Sequence, residues 1–262
     1  MIRVCVVGAA GKMGREVVRA VAQEEDLELV GACDVCEVGK DAGVLAGIAP
    51  LGVPVEENLK EVLERTSPQV VCDFTHAEAL RKNFPLFVEY RVAMVIGTTG
   101  LNRDEIEAMR REVERKNLGC VIAPNFALGA VLMMHFARIA ARFFTTVEVI
   151  EYHHPQKKDA PSGTALKTIE NMGLENTSLP GGQELVPGCR GGLYQGVRVH
   201  SVRLPGFVAH QEVIFGGEGQ ILTIRHDSLS RSSFMPGVLM ALRKVCAEPK
   251  FYYGLESVLG LE

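Results

Sequence analysis

The stretch Ile2-Arg-Val-Cys-Val-Val-Gly-Ala-Ala-Gly-Lys-Met-Gly14 decides the fold of the first half of the chain. Its first six residues are mostly β-branched or small and apolar, which is typical of a strand buried in a parallel sheet. Gly8, Gly11 and Gly14 then form a turn, and Arg15–Ala22 has the apolar spacing of a helix. A strand, a glycine turn and a helix in this order are the context in which a backbone binds a dinucleotide pyrophosphate.

An acid at the end of the next strand supports the same interpretation. The spacing G-x-x-G-x-x-G departs from the usual G-x-G-x-x-G, yet it still leaves backbone N–H groups open to a pyrophosphate. A second strand, Leu27–Cys33, ends at Asp34, twenty residues after Gly14 (34 − 14). That is about where a carboxylate binds the adenosine ribose. A glycine turn selected only for packing would not require this acid.

Strands and helices continue to alternate as far as residue 125. Strands are predicted at Gln69–Phe74, Val92–Ile96 and Gly119–Asn125, and helices at Ala77–Tyr90, which Pro85 should kink or shorten, and from Asn102 to about Lys116. Such units imply an α/β fold with a doubly wound, mostly parallel, Rossmann-like sheet, whose ligands bind at the carboxyl ends of its strands. Gly97-Thr98-Thr99 lies at one such end. It would let the backbone approach a flat nicotinamide ring closely, although an ordinary glycine turn explains the same residues.

The second half of the chain changes pattern. Leu128–Phe144 is apolar at helical spacing, and Leu174–Tyr194 is rich in glycine and proline and is expected to be irregular. Period-two alternation follows at Gly196–Arg203, Phe207–Phe215 and Gln220–His226, with Gly216–Gly219 as the turn of a hairpin. Short connections cannot add these strands to a parallel sheet, so they predict a second α+β domain with a mixed or antiparallel sheet. A sheet with one apolar face needs a partner surface, which suggests oligomerisation.

A candidate site lies in the stretch Glu151–Ala165 of this second half. It places His153 and His154 close to Lys157 and Lys158, after a predicted strand and before the predicted helix 164–172. Histidine moves protons near neutral pH, and free N–H groups at a helix start attract anions. The stretch therefore predicts a site for a carboxylate or phosphate, whereas the simpler interpretation is a solvated basic loop.

Composition excludes several classes of function. A net charge of −4 over 262 residues argues against general nucleic-acid affinity, which needs a basic face. No apolar run approaches the ~20 residues that span a bilayer, and no signal peptide is expected. Seven cysteines, an odd number, fit reduced thiols in the cytoplasm. Cys33-Asp-Val-Cys36 has no second cysteine pair to complete a zinc site, so no metal site is predicted.

Motifs along the whole chain resemble those of the dihydrodipicolinate reductase family. They are Val6–Arg15, Gly97–Gly100, Ala123–Phe126, His153–Leu166 and His200–Val213, in the family's order. The histidine–lysine stretch is close to diagnostic, while the nucleotide-binding motifs are shared with many dehydrogenases. The resemblance implies a cytoplasmic homotetramer that uses NADH or NADPH to reduce a cyclic imine with two carboxylates. The product belongs to the diaminopimelate route to lysine, and water is lost.

The resemblance also implies roles for individual residues. His153 resembles the family's proton donor and acceptor, and Lys157 its second proton donor. His154, Gly163 and Thr164 resemble the binders of the substrate carboxylates. The implied cofactor contacts are Gly8, Ala9, Ala10, Gly11, Lys12, Met13, Asp34, Gly97, Thr98, Thr99, Ala123, Pro124, Asn125 and Phe126.

Residues near Asp34 favour NADH at least as much as NADPH. Its carboxylate suits ribose hydroxyls and would repel a 2′-phosphate. NADPH enzymes often place an arginine just after this position, whereas Val35 and Cys36 follow here. Lys12 is the nearest candidate cation by sequence and Lys40 a more distant one.

Two other classes of protein remain open at this point. Another dehydrogenase of amino-acid metabolism would share the build, but a semialdehyde enzyme needs a thiolate, and residues 121–188 contain no cysteine. A dinucleotide-sensing regulator would have no use for His153 and Lys157. The predicted domains are residues 1–124 for the dinucleotide, 125–232 for substrate and oligomerisation, and a helical segment, 233–262, that returns to the first domain.

Overall fold

A computed structural model describes residues 1–174 and 183–261. The strands of these residues are β1 (Ile2–Val7), β2 (Leu27–Cys33), β3 (Val55–Glu56), β4 (Val70–Asp73), β5 (Ala93–Ile96), β6 (Cys120–Ile122), β7 (Thr146–His153), β8 (Gly192–Tyr194), β9 (Val197–Arg203), β10 (Ala209–Gly217), β11 (Gln220–Ser228) and β12 (Phe251–Tyr253). Their α-helices are α1 (Lys12–Ala22), α2 (Ala42–Leu45), α3 (Leu59–Thr66), α4 (Ala77–Glu89), α5 (Arg103–Lys116), α6 (Leu128–Ala140), α7 (Gly163–Met172), α8 (Met235–Ala247) and α9 (Leu255–Leu259). No helix of the described chain is both long and apolar enough to cross a membrane.

The first of two compact units comprises Met1–Phe126 and Phe234–Glu262. Its described residues form a seven-stranded sheet of order β12-β6-β5-β4-β1-β2-β3, with every pairing parallel. All of β4 is buried, as expected for a strand covered by helices on both faces. Strand β1 lies between β2 and β4, so the chain order reverses there and a crevice opens at the carboxyl ends. The Rossmann-like prediction is confirmed.

The second unit, Ala127–Ser233, contains a mixed sheet of order β11-β10-β7-β9-β8 in the described residues. Strand β7 pairs in parallel with β9, and the other pairings are antiparallel. The hairpin of β10 and β11 turns after Gly217, which pairs with Gln220. Along β7 the buried residues alternate with more exposed ones, so one face of the strand is packed. The prediction of a second, mixed sheet is confirmed.

Several elements differ from the sequence expectation. Helix α1 begins at Lys12, so Gly14 lies inside the helix. Helix α4 continues through Pro85 and is not shortened, because Leu80, Phe84 and Phe87 bury its apolar face. The sequence interpretation had no α2, β3, α3, β12 or α9. Within the stretch expected to be irregular, Gly192–Tyr194 forms an edge strand, and 175–182 lie outside the described residues.

Candidate active site

The glycine turn of the first unit is shaped by close backbone packing. Gly8 has φ +83°, and a Cβ there would lie 2.8 Å from the carbonyl oxygen of Phe74. A Cβ on Gly14 would lie 2.0 Å from the carbonyl oxygen of Gly8. Gly11, which precedes α1, offers no side chain to cap the helix. The first N–H groups of α1 therefore point to a place where an anion such as a pyrophosphate can bind.

A cavity of about 500 Å³ adjoins this turn at the carboxyl ends of β1, β2 and β4. Gly8, Gly11 and Asp34 line it, as a cofactor site requires, and Thr75 and Lys82 line it as well. The last two belong to the β4–α4 segment and were not among the predicted contacts. The volume, the glycine turn and the acid together fit the adenosine half of a dinucleotide.

Asp34 is held in place by the backbone of both neighbouring loops. Its Oδ2 accepts a hydrogen bond of 2.9 Å from the N–H of Ala10, and its Oδ1 accepts one of 2.9 Å from Cys36. A carboxylate oxygen can accept a second hydrogen bond, so ribose hydroxyls can still bind there. The carboxylate thus has a defined direction before any ligand arrives.

Near Asp34, two cations, Arg15 and Lys40, both contact the carboxylate of Glu37. Arg15 donates from Nε to the carbonyl oxygen of Ala10 at 2.8 Å, and its Nη2 lies 3.8 Å from Glu37. Lys40 forms an ion pair with the same Glu37, which lowers the pKa of that carboxyl mainly through the lysine hydrogen bond. Lys12 is exposed. Sequence reasoning considered Lys12 and Lys40 and missed Arg15, although its position in the first turn of the predicted helix was a usable signal.

A buried carboxylate connects the loops that follow β4 and β5. Asp73 is fully buried and accepts hydrogen bonds from the Thr75 hydroxyl at 2.6 Å and the Thr98 hydroxyl at 2.7 Å.

A Cβ on Gly97 would lie 2.1 Å from the ring of Phe74. A side chain at position 97 would have to displace the Phe74 ring, which favours glycine there independently of any nicotinamide.

The predicted contacts after β6 are mainly buried side chains. Ala123 and Phe126 are each 1% exposed, and the Phe126 ring lies 5.7 Å from that of Phe74. Pro124 is exposed and Asn125 half-buried. In the described structure, Ala123 and Phe126 can offer a ligand only their backbone. None of the residues 123–126 lines the cavity at Asp34.

In the second unit, the end of β7 carries a linked set of charged side chains. Alternation along the strand puts Glu151 and His153 on the same face. Nδ1 of His153 is hydrogen-bonded to Oε2 of Glu151. Arg203 of β9, paired with His153 in the sheet, binds both oxygens of Glu151 at 2.9 and 2.7 Å. Because Nδ1 is engaged, Nε2 is the ring nitrogen left to exchange a proton with a substrate.

Glu151 stays ionised although its side chain is 0% exposed. Burial by itself raises the pKa of this carboxyl, but hydrogen bonds from His153, Arg203 and Ser201 outweigh it and lower the pKa to about 2. The N–H of Ser162 also donates to Glu151 at 3.3 Å. The carboxylate therefore joins the end of β7 to the start of α7.

Lys157 and Lys158 have different surroundings. Lys157 Nζ donates to both oxygens of Asp159 at 2.7 and 2.9 Å, and its side chain is 23% exposed. Lys158 is exposed. Asp159 itself is 57% exposed, so this ion pair contributes only about 0–1 kcal/mol and a substrate carboxylate can replace it.

The start of α7 has the form of an anion site. Ser162 is buried and caps the helix, since its Oγ accepts from the N–H of Ala165 at 3.2 Å. A Cβ on Gly163 would meet nothing within 4 Å, so open space lies next to the first N–H groups of the helix. In the described residues, Nδ1 of His154 is buried without a hydrogen-bond partner. His153, His154 and Lys157 lie on the segment that leads into this helix start at Gly163 and Thr164.

A Rossmann-like sheet in one unit, together with an anion site and proton-donating groups in the other, indicates a pyridine-nucleotide-dependent oxidoreductase that acts on an anionic substrate. The family model "Dihydrodipicolinate reductase, N-terminus" matches residues 2–126, and "Dihydrodipicolinate reductase, C-terminus" matches residues 129–259. The chain belongs to the dihydrodipicolinate reductase family, so the resemblance predicted from its motifs is confirmed.

Individual relatives agree with this assignment. The 4-hydroxy-tetrahydrodipicolinate reductase of Moorella thermoacetica is 54% identical, with 98% of each chain covered. That of Carboxydothermus hydrogenoformans is 48% identical, covering 99% of this chain and 100% of the relative. The dipicolinate-bound dihydrodipicolinate reductase from Paenisporosarcina sp. TG-14 superimposes with a TM-score of 0.88 at 43% identity, covering 98% of this chain and 99% of that one.

Proposed function

We propose that this chain reduces 4-hydroxy-tetrahydrodipicolinate to tetrahydrodipicolinate with NADH or NADPH and with loss of water, in the biosynthesis of diaminopimelate and lysine. The observation that carries the proposal is the loop from His153 to Thr164. It joins a carboxylate-bound histidine and a lysine to a helix start with open space beside it. The names of the relatives, and the dipicolinate bound to one of them, support the substrate.

Each unit has its own task in this proposal. The dinucleotide belongs to residues 1–124 with the returning segment 233–262, and the substrate to residues 125–232. Bound NAD(P)H supplies a hydride to the substrate ring. His153 and Lys157 supply the proton that balances the added negative charge, and the ammonium also stabilises that charge. His154 and the N–H groups of Gly163 and Thr164 hold the carboxylates.

The test is the oxidation of NADH, followed by its absorbance, with substrate generated by the preceding synthase. Reduction that depends on this substrate is expected. Turnover with a semialdehyde or amino acid instead would assign a different dehydrogenase activity. Dinucleotide binding without any turnover would favour a sensing protein.

Replacing Gly163 by alanine tests the anion site. A Cβ there meets no protein atom within 4 Å, so folding stability should be unchanged or slightly higher. The methyl group would occupy space that a carboxylate needs beside the helix N–H groups. Pyridine-2,6-dicarboxylate should inhibit the wild-type enzyme in competition with substrate, and salt should weaken this inhibition. In Gly163→Ala we expect the affinity for this inhibitor to fall on the order of tenfold.

Gly216→Ala is the matched control, because a Cβ there would be 4.0 Å from Thr146 in the same unit. It should leave inhibition unchanged. Two results would contradict a carboxylate site at the start of α7. One is wild-type inhibition of the Gly163→Ala variant, and the other is a dicarboxylate that does not compete with substrate at low salt.

For the cofactor, we propose that NADH is used at least as well as NADPH. Two backbone N–H groups already hold the Asp34 carboxylate in one direction, and Arg15 and Lys40 are both paired with Glu37. A 2′-phosphate would have to displace Glu37 from these cations, which opposes its binding. The kcat/KM values for the two cofactors at low and moderate salt measure the preference, and a tenfold preference for NADPH at both would contradict it.

Glu37→Gln should shift this balance toward NADPH. Removing one negative charge frees Arg15 and Lys40 for the phosphate, and near a surface such a charge contributes on the order of 1–4 kcal/mol. We expect kcat/KM for NADPH to rise several-fold, about 5-fold or more, with little change for NADH. Glu89→Gln, an exposed change on the same unit, is the control. Equal effects on both cofactors would show that Glu37 does not face the 2′ position.

We also propose a homotetramer in the cytoplasm. Edge strand β11 exposes the apolar side chain of Ile221 at 76% and, on the opposite face of the sheet, that of Leu222 at 38%, and a second copy can cover this edge. All seven cysteines are free thiols, which suits a reducing compartment. Light scattering of the purified protein measures the assembly directly.

A further inference from the structure

We infer that Glu151, held by Arg203, is a positioning residue for His153: it fixes the ring with Nδ1 protonated and Nε2 as the atom that exchanges a proton with the substrate. This inference rests on the proposed function and assigns a role to two residues, Glu151 and Arg203, that had none among the predicted site residues. The following geometry supports it.

Glu151 is the partner that orients the imidazole. It lies two residues before His153 on the same face of β7, and its Oε2 is bonded to Nδ1 of the ring. A carboxylate can only accept a hydrogen bond, so Nδ1 must carry the proton. A ring nitrogen's partner sets the tautomer of the other nitrogen, which makes Nε2 the exchanging atom. When a doubly protonated ring gives up its Nε2 proton, the neutral ring keeps the bond to Glu151, and water later restores the proton.

Arg203 makes this carboxylate immobile. Besides its two bonds to Glu151, it donates to the carbonyl oxygens of Val202 at 2.8 Å and Asp159 at 2.8 Å. The N–H of Ser162 reaches the same carboxylate. Glu151 is therefore held from β9 by Arg203 and from the end of the loop that leads into α7 by Ser162.

Folding stability alone does not explain a buried ion pair between Glu151 and Arg203. A buried ion pair seldom stabilises a protein more than apolar residues of the same volume would, because both charges lose their hydration. The competing explanation is that Glu151 and Arg203 only anchor the loop 154–162. The two explanations differ in whether the effect of Glu151 passes through His153.

A double-mutant cycle with His153 separates them. Glu151→Gln should lower kcat by ~10²–10³-fold with KM within ~3-fold, since a misoriented acid forfeits most of its contribution. In a His153→Gln background the same change should cost less than ~3-fold, because the group through which it acts is gone. An equal loss in both backgrounds, or a Glu151→Gln enzyme with near-normal kcat, overturns the inference. If Glu151→Gln does not fold, Glu151→Asp replaces it in the cycle, because aspartate keeps the charge for Arg203 but withdraws from Nδ1.

A second measurement needs no catalysis. In protein labelled with ¹⁵N-histidine, the neutral His153 ring should show the Nδ1–H tautomer, and Glu151→Gln, or Glu151→Asp if needed, should shift it toward Nε2–H. A wild-type ring in the Nε2–H form overturns the inference. If the wild-type enzyme fails to reduce the substrate while the ring still shows Nδ1–H, the proposed function fails and the positioning of His153 stands.

Discussion

Lys157→Ala is expected to lower kcat by ~10²–10⁴-fold, whereas Lys158→Ala should leave kcat within ~3-fold of wild type. Lys157 is largely covered and bonded to Asp159, so its ammonium has a defined position. Lys158 is exposed and lacks that constraint. A positioned ammonium can donate a proton and stabilise the charge that follows hydride addition.

The two lysines form a natural pair of matched variants. Both changes remove one positive charge from the same loop, so any general electrostatic effect on substrate binding is common to them. Steady-state kcat and KM, measured across several salt concentrations, separate that shared effect from catalysis. Near-normal kcat in Lys157→Ala together with a large loss in Lys158→Ala would move the proton donor by one residue.

His153→Gln should cause a loss of similar size, ~10²–10⁴-fold in kcat, because glutamine cannot exchange a proton. Its amide can still donate a hydrogen bond to Glu151, so the buried carboxylate keeps a partner and the fold should persist. Binding of pyridine-2,6-dicarboxylate, measured by calorimetry, should change little. A variant that loses inhibitor binding but retains kcat would make His153 a binding residue instead of a proton donor.

Local patterns were sufficient to predict much of the parallel-sheet unit. Strand β2 has the predicted limits, Leu27–Cys33, and α5 follows Asn102 as predicted, with Asn102 and Glu105 forming a capping box. Each of these signals depends on residues within one or two turns of each other. Helix α3 could have been found in the same way, because Asn58 caps it and its buried residues follow helical spacing.

The positioning of His153 could not have been predicted in this way. Arg203 lies 52 residues beyond Glu151, and the two meet because β7 and β9 pair in parallel in one particular register. Nothing near either residue in the sequence specifies that register. Gly97 shows the same limit, since the Phe74 ring that a side chain there would meet comes from the end of the neighbouring strand β4.

Side chains of strand β7 alternate between the two faces of the sheet in the second unit. Glu151 and His153 occupy its packed face, while on the opposite face Glu148 pairs with His200 and Tyr152 donates to Glu212. Losing or gaining a single residue inside the strand would exchange the two faces and carry His153 away from the Glu151 carboxylate. A change of length inside β7 is therefore expected to break this hydrogen bond, whereas the loops at either end can change length without exchanging the faces of the strand.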